Sequence, residues 1–419
     1  MLGGKQRSSQ TQFKERDKKA EIAKPSISGT HHTKQRSFRR SAHRQRDVGL
    51  LLVALMLGVV AILAFSNGGT QSSTQTNRGQ ADTTASVVAS VSTTSETSTP
   101  LPVEIMRAAQ QRLYPFPSSN VGLMQPSVDS QGNVWVGEMY ANRLARLNWY
   151  TGAITTWEPP GGKYGIMTTA IDAQGDVWFV EQGANYIGRF DPVTQTFRTF
   201  LLGNVHGHPM GPQDLQFDAR GLLWFTAVVG GRIGRLDPTT GAVQTWPVPS
   251  LSATVPSIPF SLTVTAGGQV WFGEITGGGV GHLDPSTGRI TLYRLANAQV
   301  GVFSMAHDTK GRIWFTEIAP GTLGMIDTTT NRLMELPVPA ISGKSAALYG
   351  LVVTPDGNVW FVDNGADALA RFTPGKASYT FFGLALPSSA PFGLTLDVRG
   401  KLWFTVSGSS ANSIGEIAP

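Results

Sequence analysis

Seven tryptophans recur at nearly constant spacing through the last three quarters of the chain. Successive members are 43 to 47 residues apart, and each lies three residues after a glycine. The seven are Trp135, Trp178, Trp224, Trp271, Trp314, Trp360 and Trp403. A repeat of this length with alternating apolar residues is typical of blades of four short strands that close radially. The sequence therefore predicts an all-β protein, a seven-bladed β-propeller.

The two ends of the repeat region predict how the ring closes. The seventh repeat stops after its third strand, whereas earlier repeats continue through a turn into a fourth, outer strand. The segment 110–117, with the sequence QQRLYPFP, precedes the first repeat and has the composition of those outer strands. Because an open ring would leave sheet edges unpaired, we expect this segment to complete the seventh blade.

Turn chemistry predicts the order of strands within each blade. An inner strand ends at an Asp-x-x-Gly turn, and the tryptophan strand, a third strand and the outer strand follow. The Asp-x-x-Gly turns then share one face of the propeller, here called the turn face. The long connections from outer to inner strands share the opposite face, here called the loop face. Since the longer loops lie on the loop face, we expect a binding site there.

The first hundred residues have a different composition. Residues 1–47 contain 13 Lys and Arg against four acids and predict a disordered basic tail. Residues 48–66 include 18 consecutive uncharged residues and predict a transmembrane helix. A signal peptide is the alternative, but no small-residue cleavage site follows. Residues 67–100 are rich in Ser and Thr and predict a flexible linker, and residues 101–419 are assigned to the propeller.

The distribution of charge predicts the location of each part. Residues 1–47 carry +9 and the whole chain carries +6, so residues 48–419 carry −3. A basic flank stays in the cytoplasm, which predicts a single-pass cell-membrane protein with an extracellular, monomeric propeller. The basic character belongs to the tail and does not indicate nucleic-acid binding. The chain has no Cys, which excludes disulfides and thiolate chemistry.

The repeats resemble those of the streptogramin B lyase (virginiamycin B lyase) family over residues 110–419. The shared pattern is Asp-x-x-Gly-x-hydrophobic-Trp-Phe-x-Glu, followed by Asn-x-Ile-Gly-Arg and a strand that ends in Tyr/Trp-Pro-x-Pro. The resemblance implies a seven-bladed propeller and a Mg²⁺-dependent carbon–oxygen elimination that linearises cyclic depsipeptide antibiotics. It also implies a general-base His eleven residues before a blade Trp and a catalytic Glu three residues after that Trp.

The positions eleven residues before the tryptophans depart from that family pattern. They hold Met124, Met167, Gln213, Phe260, Phe303, Tyr349 and Phe392, here called the axial ring. None is His, and Met, Gln and Phe cannot take a proton near neutral pH. The same side chains predict either an apolar funnel that binds a small molecule or peptide at the propeller axis or a plug of the central channel.

Five of the seven positions three residues after the tryptophans are acidic. They are Glu138, Glu181, Glu274, Glu317 and Asp363. These carboxylates predict either a ring that binds a cation such as Mg²⁺ or acceptors for hydrogen bonds within each hairpin. Glu274 and Glu317 are the catalytic candidates, because their blades also have aromatic axial residues.

The histidines are the other candidate catalytic residues. His206 and His208 lie in the loop before the third blade, where His208 could serve as a displaced base or metal ligand with Glu181 as its partner. The alternative is an exposed pair without function. His307 is expected to be structural and to lie on the turn face. Arginines eleven residues after four of the tryptophans predict guanidinium–indole stacking, with His282 in the same register.

These features favour a membrane-anchored binding or interaction module outside the cytoplasm. The alternative is an active streptogramin B lyase that uses His208, Glu274 and Glu317 in relocated roles, with Mg²⁺ as a possible cofactor. A sugar-lactone hydrolase of the calcium-dependent propellers is less favoured, because the sequence shows no clear Glu/Asn/Asp set of metal ligands at the axis.

Overall fold

The computed structural model describes residues 86–89, 92–93, 101–106, 111–119, 121–161, 165–318, 321–386, 388–408 and 411–418, and every regular element in them is a β-strand. The predicted basic tail 1–47 and transmembrane segment 48–66 lie outside these residues. In the described part of the chain, no helix has the length and apolar character needed to cross a membrane.

The strands follow one another as short segments from residue 86 to residue 417. Four precede the repeats: β1 (Ser86–Ala89), β2 (Ser92–Thr93), β3 (Val103–Met106) and β4 (Arg112–Pro115). The first sheet has β5 (Ser127–Val128), β6 (Val134–Glu138), β7 (Arg143–Leu147) and β8 (Ile154–Trp157). The second has β9 (Ile166–Ile171), β10 (Val177–Glu181), β11 (Tyr186–Asp191) and β12 (Thr196–Leu201). The third has β13 (Pro212–Phe217), β14 (Leu223–Ala227), β15 (Arg232–Leu236) and β16 (Val243–Pro247).

The remaining four sheets repeat this arrangement. The fourth has β17 (Pro259–Val264), β18 (Val270–Glu274), β19 (Gly279–Asp284) and β20 (Arg289–Arg294). The fifth has β21 (Val302–His307), β22 (Arg312–Glu317), β23 (Thr322–Asp327) and β24 (Arg332–Pro337). The sixth has β25 (Leu348–Val353), β26 (Val359–Asp363), β27 (Ala368–Thr373) and β28 (Ser378–Gly383), and the seventh has β29 (Pro391–Leu396), β30 (Leu402–Gly408) and β31 (Ala411–Ile417).

The seven sheets form the predicted seven-bladed propeller. Within each sheet the strands pair antiparallel in sequence order, from the inner strand through the tryptophan strand to the outer strand. The inner strands of successive sheets contact one another around a closed ring, and β29 of the seventh sheet contacts β5 of the first. The fold class and the strand order predicted from the repeat are confirmed.

The seventh sheet takes its outer strand from the N-terminal side of the repeats. Strand β4 pairs antiparallel with β31, with Tyr114 opposite Ile414. The amide of Phe116 extends this pairing by donating a hydrogen bond to the carbonyl of Asn412 at 2.8 Å. Tyr114 and Phe116 are buried against the sheet. The edge that the short last repeat would leave open is therefore covered by the segment that the sequence indicated.

Strands β1, β2 and β3 pair with the outside of the propeller. Each lies parallel to an outer strand: β1 to β20, β2 to β24 and β3 to β28. The fourth, fifth and sixth sheets consequently have five strands each. Residues 86–89 and 92–93, within the linker predicted over 67–100, thus pair through their backbone groups with sheet edges that would otherwise be unpaired.

The repeated Asp and Trp of each blade are joined by a hydrogen bond. The indole Nε1 of Trp224 donates to Oδ2 of Asp218 at 3.0 Å, and four other blades have the same bond. Burial raises the pKa of Asp218, but hydrogen bonds from Trp224 and two backbone amides outweigh it and hold the pKa below its ordinary value. In these five blades the turn thus fixes the largest side chain of the core.

The third strand of most blades approaches a Phe ring so closely that it needs a glycine. A Cβ atom on Gly281 would overlap the ring of Phe272, the residue after the blade tryptophan. Four other blades have the same contact, between Gly188 and Phe179, Gly234 and Phe225, Gly324 and Phe315, and Gly415 and Phe404. The Gly of the Ile-Gly-Arg motif is therefore a packing requirement.

The predicted arginine–tryptophan stacking is confirmed. The guanidinium carbons of Arg146, Arg189, Arg235 and Arg371 lie 5.4 to 5.8 Å from the ring centroids of their blade tryptophans. In the fourth blade, His282 stacks on Trp271 with centroids 4.5 Å apart. These side chains belong to the architecture of the blades.

Candidate functional site

The axial ring owes its position to a β-bulge at the start of the inner strands. In the fourth sheet Pro259 pairs with Glu274 and Ser261 with Gly273, so Phe260 has no partner on the tryptophan strand. A register shift occurs at the axial residue of the second to seventh sheets. Because a bulge re-aims its extra residue, the axial side chains point away from the sheet and toward the axis.

The axial side chains pack against one another. The ring centroid of Phe303 lies 5.2 Å from Phe260, 4.8 Å from Tyr349 and 5.2 Å from Phe392. Phe303 and Phe392 belong to the fifth and seventh blades, so their contact passes in front of the sixth blade, whose Tyr349 also contacts both rings. All seven axial residues are 2% to 8% exposed. The packing corresponds to the plug rather than the open funnel, and ligand binding by these residues from the loop face remains a prediction.

A cavity of about 420 Å³ lies on the turn side of the plug. Its lining begins at axial residues such as Phe260 and Phe303 and continues along the inner strands to Val128, Phe217 and Leu396. The loop-face connections contribute nothing to it. This axial cavity is therefore on the turn face, whereas the sequence favoured a binding site on the loop face.

Polar side chains bridge neighbouring blades along this cavity. The amide of Leu262 donates to Oδ2 of Asp214 at 3.0 Å, and Nε2 of Gln125 donates to the carbonyl of Leu394 at 2.7 Å. Similar bonds join Val264 to Gln216, Leu351 to Ser304, and Ser127 to Thr169. They satisfy backbone groups that an inner edge strand cannot pair within its own sheet, so the wall of the cavity is held by side chains.

The five acidic positions after the tryptophans are all buried, at 3% exposure or less. Glu138 accepts from Arg143 at 2.5 Å, and Glu274 accepts from the hydroxyl of Ser257 at 2.7 Å and from the amide of Ile258 at 2.6 Å. Asp363 accepts from the amides of Ala347 and Ala366. Glu138 and Asp363 therefore accept hydrogen bonds within their own hairpins, as the structural interpretation expected, whereas the donors to Glu274 lie in the connection into its blade.

Burial dominates the ionisation of these carboxyls. It raises the pKa of Glu274 to about 7, against the hydrogen bonds from Ser257 and Ile258. Burial also raises the pKa of Glu317 to about 8, and the nearby Glu335 carboxylate adds to the shift. Within the described residues, Oε1 of Glu317 is buried without a hydrogen-bond partner. The raised pKa favours the protonated, neutral form of Glu317, which lowers the cost of its burial.

We expect Glu317→Gln to make the propeller more stable at alkaline pH. A carboxyl whose folded pKa is raised contributes stability below its unfolded pKa and loses it as pH rises through the folded value, here about 8. The variant should gain about 1 to 3 kcal/mol at pH near 9, the scale of an unsatisfied buried polar group, and little at pH near 5. Denaturant unfolding of the variant and the unsubstituted chain at both pH values measures this difference in unfolding free energy.

The matched control is Glu104→Gln on the exposed strand β3, which removes the same charge from the surface. It should leave the pH dependence of unfolding unchanged. If the unfolding free energy of Glu317→Gln changes with pH in parallel with that of the unsubstituted chain from pH 5 to 9, the buried carboxyl does not titrate in that range.

The structure places the candidate histidines at the surface. His206 and His208 are exposed in a tight turn that is closed by mutual backbone bonds between Val205 and His208. Glu181, the partner considered for His208, is fully buried. His307 lies on the inner strand of the fifth sheet, where Nδ1 is 3.0 Å from the hydroxyl of Thr263. The geometry thus gives His307 the expected structural contact.

The resemblance to Mg²⁺-dependent lyases raises the question of a metal site. Among the described residues, no group of three or more His, Asp or Glu side chains could hold a metal ion. The acidic positions occur singly, in five different blades, and Glu138, Glu274 and Asp363 are engaged by protein donors. These residues do not fit a Mg²⁺ site, and the arrangement supports no catalytic step through the metal.

Solved structures with the same propeller include two lyases. A catalytically inactive histidine-to-alanine variant of virginiamycin B lyase from Staphylococcus aureus, crystallised with quinupristin, is 25% identical, with a TM-score of 0.65 over 74% of this chain and 99% of that chain. A streptogramin B lyase structure is also 25% identical, with a TM-score of 0.63 over 73% of this chain and 96% of that chain.

A third similar structure is the extracellular domain of a putative one-component system from B. thetaiotaomicron. It is 14% identical, with a TM-score of 0.56 over 73% of this chain and 39% of that chain, which shows the fold alone. Among curated proteins, none matches this chain.

The sequence profile of the virginiamycin B lyase family matches this chain in two overlapping stretches. They cover residues 102–345 and 203–419, and so span the propeller from before β3 to the last residue. The solved lyases are similar to this chain over nearly their whole length. The chain therefore belongs to the virginiamycin B lyase family.

Proposed function

We propose that this protein is a binding or interaction module of the virginiamycin B lyase family, anchored in the cell membrane with its propeller outside the cytoplasm, and that it does not catalyse elimination. The observation that carries the proposal is the axial ring. None of its seven residues is His, and its aromatic members are buried and pack against one another.

The chemistry of elimination supports this proposal. Opening an ester ring by elimination requires a base to remove the proton next to the bond that breaks, while the carboxylate leaves. One solved relative is described as catalytically inactive after replacement of a histidine by alanine. In this chain Met, Gln, Phe and Tyr occupy the axial positions, and only Tyr among them can ionise. Burial raises the pKa of Tyr349 to about 12, which keeps it protonated at neutral pH.

The second candidate function is that of an active lyase, because Glu274 has a pKa of about 7 and could exchange a proton near neutral pH. The carboxyl is 3% exposed, and both its oxygens accept hydrogen bonds from the protein. A base in that position has no contact with a substrate on the surface. His208 is exposed to solvent, whereas Glu274 and Glu317 are buried.

Incubation of the full-length protein in detergent with Mg²⁺ and quinupristin should leave the ring of the antibiotic intact. Elimination adds no water, so a linear product would have the same mass and must be separated by chromatography and identified by fragmentation. A product one water heavier would indicate hydrolysis instead. A linear product that disappears in His208→Ala or Glu274→Gln would replace the binding role with the lyase role.

The proposed topology predicts the outcome of proteolysis on intact cells. Protease added outside should cut within residues 67–100 and release a folded propeller fragment, because the basic flank of the anchor is retained in the cytoplasm. Protection of that linker together with cleavage of residues 1–46 would reverse the orientation. Permeabilised cells, in which both regions are accessible, provide the control.

A further inference from the structure

The cavity on the turn side of the axial plug has the chemistry of a second binding site. We propose that it binds a small primary amine with an aromatic or alkyl tail, with the ammonium group at Asp214 and the tail against Phe260 and Phe303. The inference rests on the proposed binding role and names a ligand class for it. It concerns the face opposite the loops where substrate binding was expected.

The electrostatic argument starts from Asp214, the one ionisable side chain in the lining of the cavity. Its carboxylate accepts from the amide of Leu215 at 2.9 Å and from that of Leu262 at 3.0 Å, and no ion pair involves it among the described residues. Each oxygen of a carboxylate can accept a second hydrogen bond. The ionised carboxylate therefore has capacity for a further N–H donor.

The strands around Asp214 supply no compensating charge. Strands β9, β14 and β17 pack against β13, and none contains an ionisable residue. Strand β10 contributes only Glu181, which is also acidic and lies at its end. In the turn after β13, Arg220 pairs with Asp218 at 3.3 Å. A cation supplied by a ligand is thus the available partner for this carboxylate.

The apolar end of the cavity matches the tail of such a ligand. The Asp214 carboxylate accepts from the amide of Leu262. Phe260 lies two residues before Leu262 on the same strand, and at the rise of an extended chain this separates the plug from the carboxylate by roughly 7 Å. Phe260 and Phe303 both line the cavity. Aromatic side chains attract ammonium groups and pack against apolar chains. A ligand whose ammonium group is two carbons from its own ring therefore spans the distance from the Asp214 carboxylate to the plug.

The pH dependence of binding follows from the carboxylate. Burial raises the pKa of Asp214 to about 6, against the hydrogen bonds from Leu262, Leu215 and Thr168. Only the ionised form attracts an ammonium group, so binding should strengthen as pH rises from about 5 to about 7.5. The amine itself stays protonated over that range, since alkylamines resemble Lys in their pKa.

Titration of the full-length protein in detergent with 2-phenylethylamine, followed by calorimetry or ligand-observed NMR, tests the inference. The neutral 2-phenylethanol is the matched ligand control. The amine should bind roughly tenfold to hundredfold more tightly than the alcohol near pH 7.5, the range for a charge-assisted hydrogen bond, and this advantage should shrink near pH 5.

Two variants separate the charge from the apolar contact. Asp214→Asn should abolish the preference for the amine, provided that its circular dichroism and melting match those of the unsubstituted chain. If that variant does not fold, Phe303→Leu keeps an apolar plug without the ring and should weaken amine binding roughly threefold, through loss of the ring–ring contact with the tail of the ligand.

Three outcomes would overturn the inference: no amine binding, equal binding of amine and alcohol at both pH values, or unchanged amine binding in folded Asp214→Asn. None of these would restore lyase activity, which the quinupristin assay tests separately. A linear quinupristin product, conversely, would refute the proposed function and leave the amine titration to be judged on its own result.

Discussion

A propeller fragment that begins at Ser118 should be less stable than one that begins at Leu101 by about 3 to 6 kcal/mol. The shorter fragment lacks β4, and with it the buried side chains of Tyr114 and Phe116, each worth about 1.5 to 3 kcal/mol. It also leaves the edge of β31 unpaired, which predicts aggregation through that strand. Denaturant unfolding of both fragments measures the difference.

A fragment that begins at Gln111 is the matched control for this prediction. It lacks β3 but keeps β4, and the side chains of β3 are exposed, with Ile105 at 64%. Its unfolding free energy should lie within about 1 kcal/mol of the longer fragment. If the fragments that start at residues 111 and 118 unfold at the same denaturant concentration, β4 does not hold the ring closed.

Replacement of Gly281 by Val is expected to destabilise the propeller by about 3 kcal/mol or more, at the upper end of the range for overpacked cores. The added side chain would overlap the ring of Phe272, which is itself buried. The control is Gly203→Val, in an exposed position with no atom near its added Cβ, which should change stability by less than about 0.5 kcal/mol.

A second substitution tests whether the ring of Phe272 is the cause. In the double variant Gly281→Val with Phe272→Ala, the space left by the ring accepts the new side chain, so the loss should be smaller than the sum of the two single losses. The first sheet offers a natural precedent, with Val136 opposite Ala145 at the equivalent positions. Strict additivity would mean that the clash is relieved by backbone movement instead.

The sequence predicted those features that recur within a blade. Trp and Gly positions gave the number of sheets, and the Asp-x-x-Gly turns gave their strand order. The bond from each Trp indole to the turn Asp could also have been predicted, because Asp precedes Trp by six residues in five repeats, whereas Thr265 and Thr354 replace it in the others. In the sixth blade, within the described structure, Nε1 of Trp360 is accordingly buried without a partner.

The features that depend on the closed ring could not be predicted from one repeat. Contact between Phe303 and Phe392 requires knowledge of how far the bulged residues of different blades reach toward one another. The cavity behind them, and the lack of a cation near Asp214, likewise depend on the packing of several blades together. The side pairing of β1 and β2 is not indicated by composition, since a Ser- and Thr-rich segment is equally typical of a free linker.

The pairing of β1, β2 and β3 along the rim also determines how mechanical load would reach the propeller. Tension from a membrane anchor would arrive at β1, which has four paired residues, then at β2 with two and β3 with four. These pairings would rupture one after another before force reached β4, the strand that closes the ring. The N-terminal segment would therefore lengthen in steps under force, and the propeller would stay folded while these pairings break.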